Sequence, residues 1–507
     1  MSSNVLTIEN LFQMLDLSNK TPEQIKQSEA LLPQYEILPN YGPLLLTIAC
    51  NKNGNIANTI SHSASIQLKN YINSFWKYGH DENENTNLCF EGDKIIVISD
   101  EDKNFIRKNI LESLIHVVEM EDVKIMKQLN QCVKKIIKLD YVTIWKKDFI
   151  ECVIKCLNSE NQKQIYAGII IFYQLSKIYE FEDETNQPHY SEVFDAINDK
   201  LIYYLKMCKG IKNNVEAMVL YKLFKIFLKN FQASVPDCMH KNGVYKSWNI
   251  YLVEIIKTPV GKDYINNKKN IFWKLRDVCF QIIARVTQKY RADADKNEMF
   301  NNFRKIFLSD ILPEYYEILT VIFTNVNNNF EYIDDYGKFC VYNFYYILLE
   351  NNDYKDKIIK LFCDNELLLN EIIKDCTLKQ SALESWVESP KEYISEKEEE
   401  LNLFNSKKYR GMKIITFFME LKDKKTKKYI LFDKLYNFFC NELLKDQQNL
   451  IEEENNIKNN LMKNTTKETY ILNRDNIPYT LKKESILYLL KKNYESIKKK
   501  CRLRCVY

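Results

Sequence analysis

Glycine and proline are scarce: 10 of each occur in 507 residues, well below the usual ~7% and ~5%. Tight hairpins and phosphate-cradling loops depend on glycine, so α/β and all-β folds are disfavoured, and long helices joined by short polar turns fit better. Histidine is scarcer still, with His62, His80, His116, His189 and His240 scattered singly. No phosphate loop, dinucleotide fingerprint or His-Glu-x-x-His pattern is present. Cys152 and Cys156 share one helix face at i,i+4, as do Cys501 and Cys505 if the tail is helical, but no neighbouring Cys or His completes a metal set, and core packing is the simpler use. His116 sits in an apolar stripe and reads as a packing histidine. No catalytic residue, cofactor or metal ligand is therefore assigned, and an enzyme reading has no support.

Net charge is also small, at +4, so the chain is not a polycation built for direct nucleic-acid binding. The charge is uneven. Residues 1–120 carry 9 basic against 15 acidic side chains, and the remainder 63 against 53. The acidic first quarter could face a basic protein, or be only a solvated surface. The opening "MSSNVLTIENLFQMLDL" has no basic start and carries Glu9 and Asp16, so no secretory signal is expected. The longest nearly apolar run, Tyr166 to Leu175, falls short of the roughly 20 residues that span a bilayer, and no membrane segment is expected. The 14 cysteines then read as free, mostly buried thiols of a soluble protein in a reducing compartment.

What is abundant is apolar side chains, 46% of the chain, at helical spacing. Ile106, Ile110, Leu111, Leu114, Ile115 and Val118 make one stripe, and Met126, Leu129, Val133, Ile136 and Ile137 the next. Polar turns are expected at 118–122, 138–144 and 157–163, with a longer one at 180–189. Further helices are expected at 215–231, 272–290 and 336–351. In Tyr429 to Lys445, Phe432, Leu435, Tyr436 and Phe439 fall at i, i+3, i+4 and i+7, which favours packing over stacking on bases. Helix pairs following one another every ~40 residues indicate an all-α, HEAT/armadillo-like right-handed α-α superhelix, a solenoid of antiparallel pairs. Two segments break the rhythm: the loop 78–102, with its short apolar piece Lys94 to Ser99, and the Lys/Asn-rich 451–475, expected to be a disordered loop.

Several segments, in order, resemble the importin-β superfamily of nuclear transport receptors, and its importin-7/importin-8 branch in particular. Ala30 to Trp76 resembles the family's N-terminal domain through Leu68, Lys69, Asn70, Ile72 and Trp76. Ile106, Arg107 and Asn109 match an Ile-Arg-x-Asn helix, and Asp140 to Trp145 an Asp-Tyr-Pro-x-x-Trp turn. Ala167 to Phe181 matches through Gly168, Tyr173, Gln174, Leu175, Lys177, Tyr179 and Glu180. Trp273, Lys274, Ile282, Ala284, Arg285 and Tyr290 match in spacing, Trp386 to Ile394 resembles Trp-x-Glu-x-Pro-x-Glu-Tyr-Ile, and Lys482 to Leu490 follows the pattern. Ser61 stands where the family usually has Arg, and Val142 replaces the turn proline. The family continues for many more repeats, so the resemblance is to its N-terminal half, and Lys498 to Tyr507 is expected either to cap the last helix face or to precede further chain.

The resemblance implies residues 1–100 as an importin-β N-terminal domain, 101–450 as further HEAT repeats, and 476–507 as a last partial repeat. It implies Ran-GTP binding by the N-terminal repeats, with Lys69 and Asn70 as candidate contacts and Arg107 and Asn109 as weaker ones. Leu68, Ile72, Trp76, Trp145 and Trp273 are its structural residues. It further implies protein cargo, basic proteins such as ribosomal proteins or histones in this branch, phenylalanine-glycine nucleoporins, importin-β as a companion, and shuttling between cytoplasm and nucleus through the pore of the nuclear envelope. A HEAT-repeat scaffold or regulatory subunit without transport is the alternative. A second alternative, that Asn70 and Arg107 only tie neighbouring turns together, also stays open.

Overall fold

A computed structural model describes residues 6–498, apart from 77–89, 183–186, 208–210, 259–269, 292–296, 325–332, 378–388, 390–405, 464–476 and shorter gaps at 18–19, 53, 92–93, 96–97, 212, 234, 242, 424 and 495–496. Most of loop 78–102, the Trp386 to Ile394 segment apart from Ser389, and Cys501 and Cys505 lie outside the described residues. The chain divides into two units, residues 1–251 and 252–507.

In the first unit the helices are α1 (Ile8–Leu17), α2 (Pro22–Glu36), α3 (Tyr41–Cys50), α4 (Asn58–Phe75), α5 (Asp100–Glu119), α6 (Val123–Asp140), α7 (Lys146–Leu157), α8 (Gln162–Tyr179), α9 (Gln187–Met207), α10 (Asn214–Lys229), the short α11 (Asp237–His240) and α12 (Val244–Lys257) up to Tyr251. A two-residue antiparallel pair, β1 (Phe90–Glu91) and β2 (Lys94–Ile95), falls in the long loop. Chain neighbours pair, α3 on α4, α5 on α6 and α7 on α8, and α5 also packs on α3 and α8. The even-numbered helices α4, α6, α8 and α10 lie side by side. This local, pairwise packing is the HEAT-like architecture, because one amphipathic pair buries its apolar face only against the next.

The second unit has α13 (Ile271–Tyr290), α14 (Glu298–Ile306), α15 (Leu312–Thr324), α16 (Asp335–Leu348), α17 (Asn352–Asp364), α18 (Glu366–Asp375), α19 (Lys407–Glu420), α20 (Phe432–Lys445), α21 (Gln447–Lys463) and α22 (Pro478–Lys492). Helix α16 packs on α13 and α19, and α18 on α19 and α22. Phe432, Leu435 and Phe439 are buried, and Tyr436 stacks on Phe432 with ring centroids 5.8 Å apart.

A chain so poor in glycine closes its helices by other means. Asparagine, aspartate and serine side chains accept from the first-turn amides, as Asn161, Asn213, Asn270, Asn297 and Asp334 do, each satisfying an orphan donor. Helix α5 ends in a Schellman turn: the Glu121 amide donates to Val118 and the Asp122 amide to Val117. Glu121 takes the left-handed φ of 60° where glycine is usual.

Two expectations are corrected. Residues 138–144, expected to turn, run from α6 through a π-helical turn, Tyr141–Trp145, into α7. Val142, standing in for proline, keeps the amide a continuous helix needs, and Tyr141 and Trp145 are both buried. Residues 451–463, expected to be disordered, are the body of α21. Buried Leu450 and Glu453 anchor it, Glu453 accepting from the Tyr479 and Thr480 amides that open α22.

Helix α8 approaches α7 at Gly168, where an added Cβ would lie 2.7 Å from Cβ of Cys156. Gly168→Ala should overpack this contact and lower stability by about 1–3 kcal/mol, read as a reduced urea midpoint. In α11, burial pushes the His240 imidazole down to about 4 from 6.5, against the opposing pull of Asp237. The folded unit binds the proton less readily than the unfolded chain does. His240 therefore contributes stability above pH 6.5 that is lost as pH falls towards 4, about 3 kcal/mol over the full window. His240→Gln should flatten that part of the profile between pH 7.5 and pH 4.5, and an unchanged profile would assign the acid sensitivity elsewhere.

Candidate interaction face at the junction of α4, α5 and α6

Helix α4 is amphipathic. Leu68, Tyr71, Ile72, Phe75 and Trp76, at i, i+3, i+4, i+7 and i+8, are all buried. On its other side Asn70 and Asn73 are exposed, while Lys69, seven residues before Trp76 and so on nearly the same side of the helix, is half-buried at the edge of the apolar face. Lys69 and Asn70 make no hydrogen bond or ion pair among the described residues. The Lys69 ammonium lies near Cys132 of α6, where it partly opposes the rise that burial imposes on that thiol.

Helix α5 begins at Ser99, whose hydroxyl accepts from the Asp102 amide. Asp100, Glu101 and Asp102 fill its first turn, where the helix dipole favours anions. The buried Asp102 carboxylate accepts from the Asn40 amide at 3.0 and 3.2 Å, fixing α5 to the start of α3. Burial raises this carboxyl's pKa, and the Asn40 bond works against the rise.

The centre of the junction is Asp140, at the end of α6. Its Oδ2 accepts from Nη1 of Arg107 at 2.6 Å and from Nε1 of Trp76 at 3.1 Å, and the guanidinium lies 5.9 Å from the Trp76 ring. The carboxylate is 0% and the Arg107 side chain 10% exposed. Arg107 also donates to Asn104. Lys103 is buried beside them, its ammonium pKa lowered chiefly by desolvation while Asp100 and Asp140 pull it back up.

The four candidate contacts therefore separate. Asn70 stands on the outer side of α4, and Lys69 at its edge, near Cys132 of α6. Arg107 is committed to Asp140 and Trp76, a tie between helices where the sequence leaves open a tie between neighbouring turns. Asn109, two residues further along and so nearly opposite Arg107 around α5, donates to its own helix at Phe105 O, 2.8 Å. Leu68, Ile72, Trp76, Trp145 and Trp273 are all buried side chains. Sequence reading missed the roles of Asp140 and Lys103; the available signal was a charged residue at each of two positions flanked by apolar stripes.

A groove of about 460 Å³ runs between α5 and α7, floored by Leu111, Ile115, Trp145, Cys152 and Cys156 and bordered by charged side chains. His116 lines it, half-buried, instead of joining the core. The described cysteines are unbonded, and all but Cys152 and Cys440 are buried. Among the described residues no cluster of three or more His, Cys, Asp or Glu could hold a metal ion, and no helix is long and apolar enough to cross a membrane.

Residues 28–116, from within α2 through most of α5, match the importin-beta N-terminal domain family. A probable importin-7 homolog of Dictyostelium discoideum is 22% identical over 312 residues, covering 59% of this chain and 27% of its own. Importin-8 of Homo sapiens is 20% identical over 308 residues, covering 59% and 28%. The chain thus spans about a quarter of the length of the curated relatives it matches. A solved structure of Kap95p with RanGDP is similar over 97% of this chain and 48% of that one, at 12% identity and a TM-score of 0.44.

Removing the central carboxylate tests the junction. Asp140→Ala should leave Arg107 and Lys103 without their shared anion and cost about 3–5 kcal/mol, measured by urea unfolding at pH 7. A loss below about 1 kcal/mol, within the range of a surface pair, would show that the junction does not depend on this charge.

Proposed function

From an importin-β N-terminal domain at residues 28–116, we propose that this chain is a nuclear transport receptor that binds Ran-GTP through its first repeats and carries protein cargo into the nucleus. The observation that carries this reading is the division of labour on α4: the motif residues Leu68, Ile72 and Trp76 are buried, Asn70 is exposed on the opposite side, and Lys69 is half-buried at the edge between them, neither making a hydrogen bond or ion pair among the described residues. Exposed polar side chains free of internal bonds can be given to a partner without first breaking native contacts. Arg107 acts one step back, holding α4 against α5 and α6 through Trp76 and Asp140.

Cargo release by Ran-GTP is a coupling between two ligands and is reciprocal in free energy. Stacked helix pairs suit it, since small rotations at successive interfaces add up. Phenylalanine-glycine nucleoporins fit grooves such as that between α5 and α7, with an apolar floor for one aromatic side chain. Basic cargo, an importin-β companion and shuttling through the nuclear pore belong to the same proposal. So does the division into an importin-β N-terminal domain over 1–100 and further HEAT repeats over 101–450.

A pull-down with Ran locked in its GTP form, against the GDP form, separates this reading from a non-transport HEAT scaffold. Nucleotide-dependent capture is expected; equal capture, or none by a folded chain, favours the scaffold. Lys69→Glu with Asn70→Ala should weaken Ran-GTP binding at least tenfold with the helical circular dichroism unchanged. Unaltered affinity would mean that α4 contributes nothing to the contact.

A further inference from the structure

Helices α6, α8 and α10 lie side by side and carry a concentration of lysines: Lys134 on α6, Lys177 on α8, and Lys222, Lys225 and Lys229 on one face of α10. All five are half-buried. Gln174 Nε2 donates to Asn130 across α8 and α6 at 3.0 Å, and its Oε1 accepts from Lys177 Nζ at 3.2 Å, which sets Lys177 one turn beyond this rung. Lys177 and Lys222 share the Tyr173 ring, 4.5 and 5.2 Å from its centroid. Lys222 and Lys225 both lie 5.8 Å from that of Tyr221.

The patch is short of negative charge. Glu180 is the one carboxylate among the described residues that pairs with it, and both of its oxygens are taken by Lys229 at 2.6 Å. Lys134, Lys222 and Lys225 make no ion pair among the described residues. Burial first, and then Lys222, Lys134 and Lys229, push the Lys177 ammonium down to about 8. Lys222 and Lys225 are lowered by burial and by the next cation along. Like charges held together in partly desolvated positions weaken the folded state, and an external anion relieves that cost.

We propose that the Lys134, Lys177, Lys222 and Lys225 face of α6, α8 and α10 is a docking surface for an extended, Asp/Glu-rich segment of a partner protein. Three helices roughly 10 Å apart spread the cations over about 20 Å, which some six residues of extended chain would cover. Carboxylates fit better than phosphates. The lysines sit in mid-helix or later, away from the free amides of a helix N-terminus, where phosphates commonly bind. The tyrosine rings are covered by ammonium groups, so they are not open platforms for bases. This surface is separate from Lys69 and Asn70, and its test does not depend on Ran.

The test is fluorescence anisotropy of a labelled twelve-residue peptide of alternating Glu and Asp, with the full chain at low and moderate salt. Binding should weaken as salt rises, and Lys177→Gln with Lys222→Gln and Lys225→Gln should weaken it at least tenfold. Lys108→Gln with Lys124→Gln and Lys155→Gln, exposed lysines elsewhere in the unit with the same loss of charge, should change it less than twofold. Because the first triple removes repulsion, its melting temperature should not fall. No binding, or equal loss in both triples, overturns the proposal. So does a twelve-nucleotide single-stranded DNA that binds the patch more tightly than the peptide and displaces it.

Discussion

A buried carboxylate has to be answered from more than one direction, and Asp140 is where the first unit meets that demand. Trp76 reaches it from the end of α4 and Arg107 from α5, so one 0% exposed anion joins three helices of two successive pairs. Such an ion pair adds little net stability over a well-packed apolar substitute, but it tolerates few alternative arrangements. It meets α4 at Trp76, one of the five side chains whose burial decides which residues of that helix face outwards. Asn70 is left exposed on the far side of the helix, with Lys69 half-buried at the edge.

The second unit uses the same device. Asp375 accepts from Lys338 at 3.2 Å, Lys407 at 2.7 Å and Tyr342 at 2.7 Å, a buried anion again shared between helices. Against these charge-paired centres the lysine face of α6, α8 and α10 stands out by its imbalance: several half-buried cations and one carboxylate. Interior charges that hold a fold together are matched, whereas charges directed at a partner are left in excess.

Much of the architecture was legible in the chain. Scarcity of glycine and proline, with apolar residues at i, i+3, i+4 and i+7, is sufficient for helices, and short polar turns are sufficient for pairs. The spacing of Leu68, Tyr71, Ile72, Phe75 and Trp76 is enough to divide α4 into a buried and an outer side, because a helix of known period has only one way to bury those five side chains. The turn expected at 138–144 failed because helix continuity there depends on burying Tyr141 and Trp145 against neighbours that no local pattern names. The disordered segment failed for a related reason: Asn- and Lys-rich composition is weak evidence against a helix that a buried Leu450 and Glu453 anchor from elsewhere.

For the candidate site, sequence sufficed to pick out Lys69, Asn70, Arg107 and Asn109, but not to rank them by what they touch. Arg107 and Asn109 are two residues apart, and one is an interhelical tie while the other bonds its own helix. Only the packed structure separates them, because the partner of Arg107 lies 33 positions away. The lysine patch is likewise invisible to a linear reading, since Lys134, Lys177 and Lys222 become neighbours only once α6, α8 and α10 lie side by side. By itself the sequence determined the helices, their apolar faces and the family resemblance, which are properties of local period and spacing. Tertiary structure alone decided which charges are paired and which remain available, because Coulomb energy depends on distance through space and on burial.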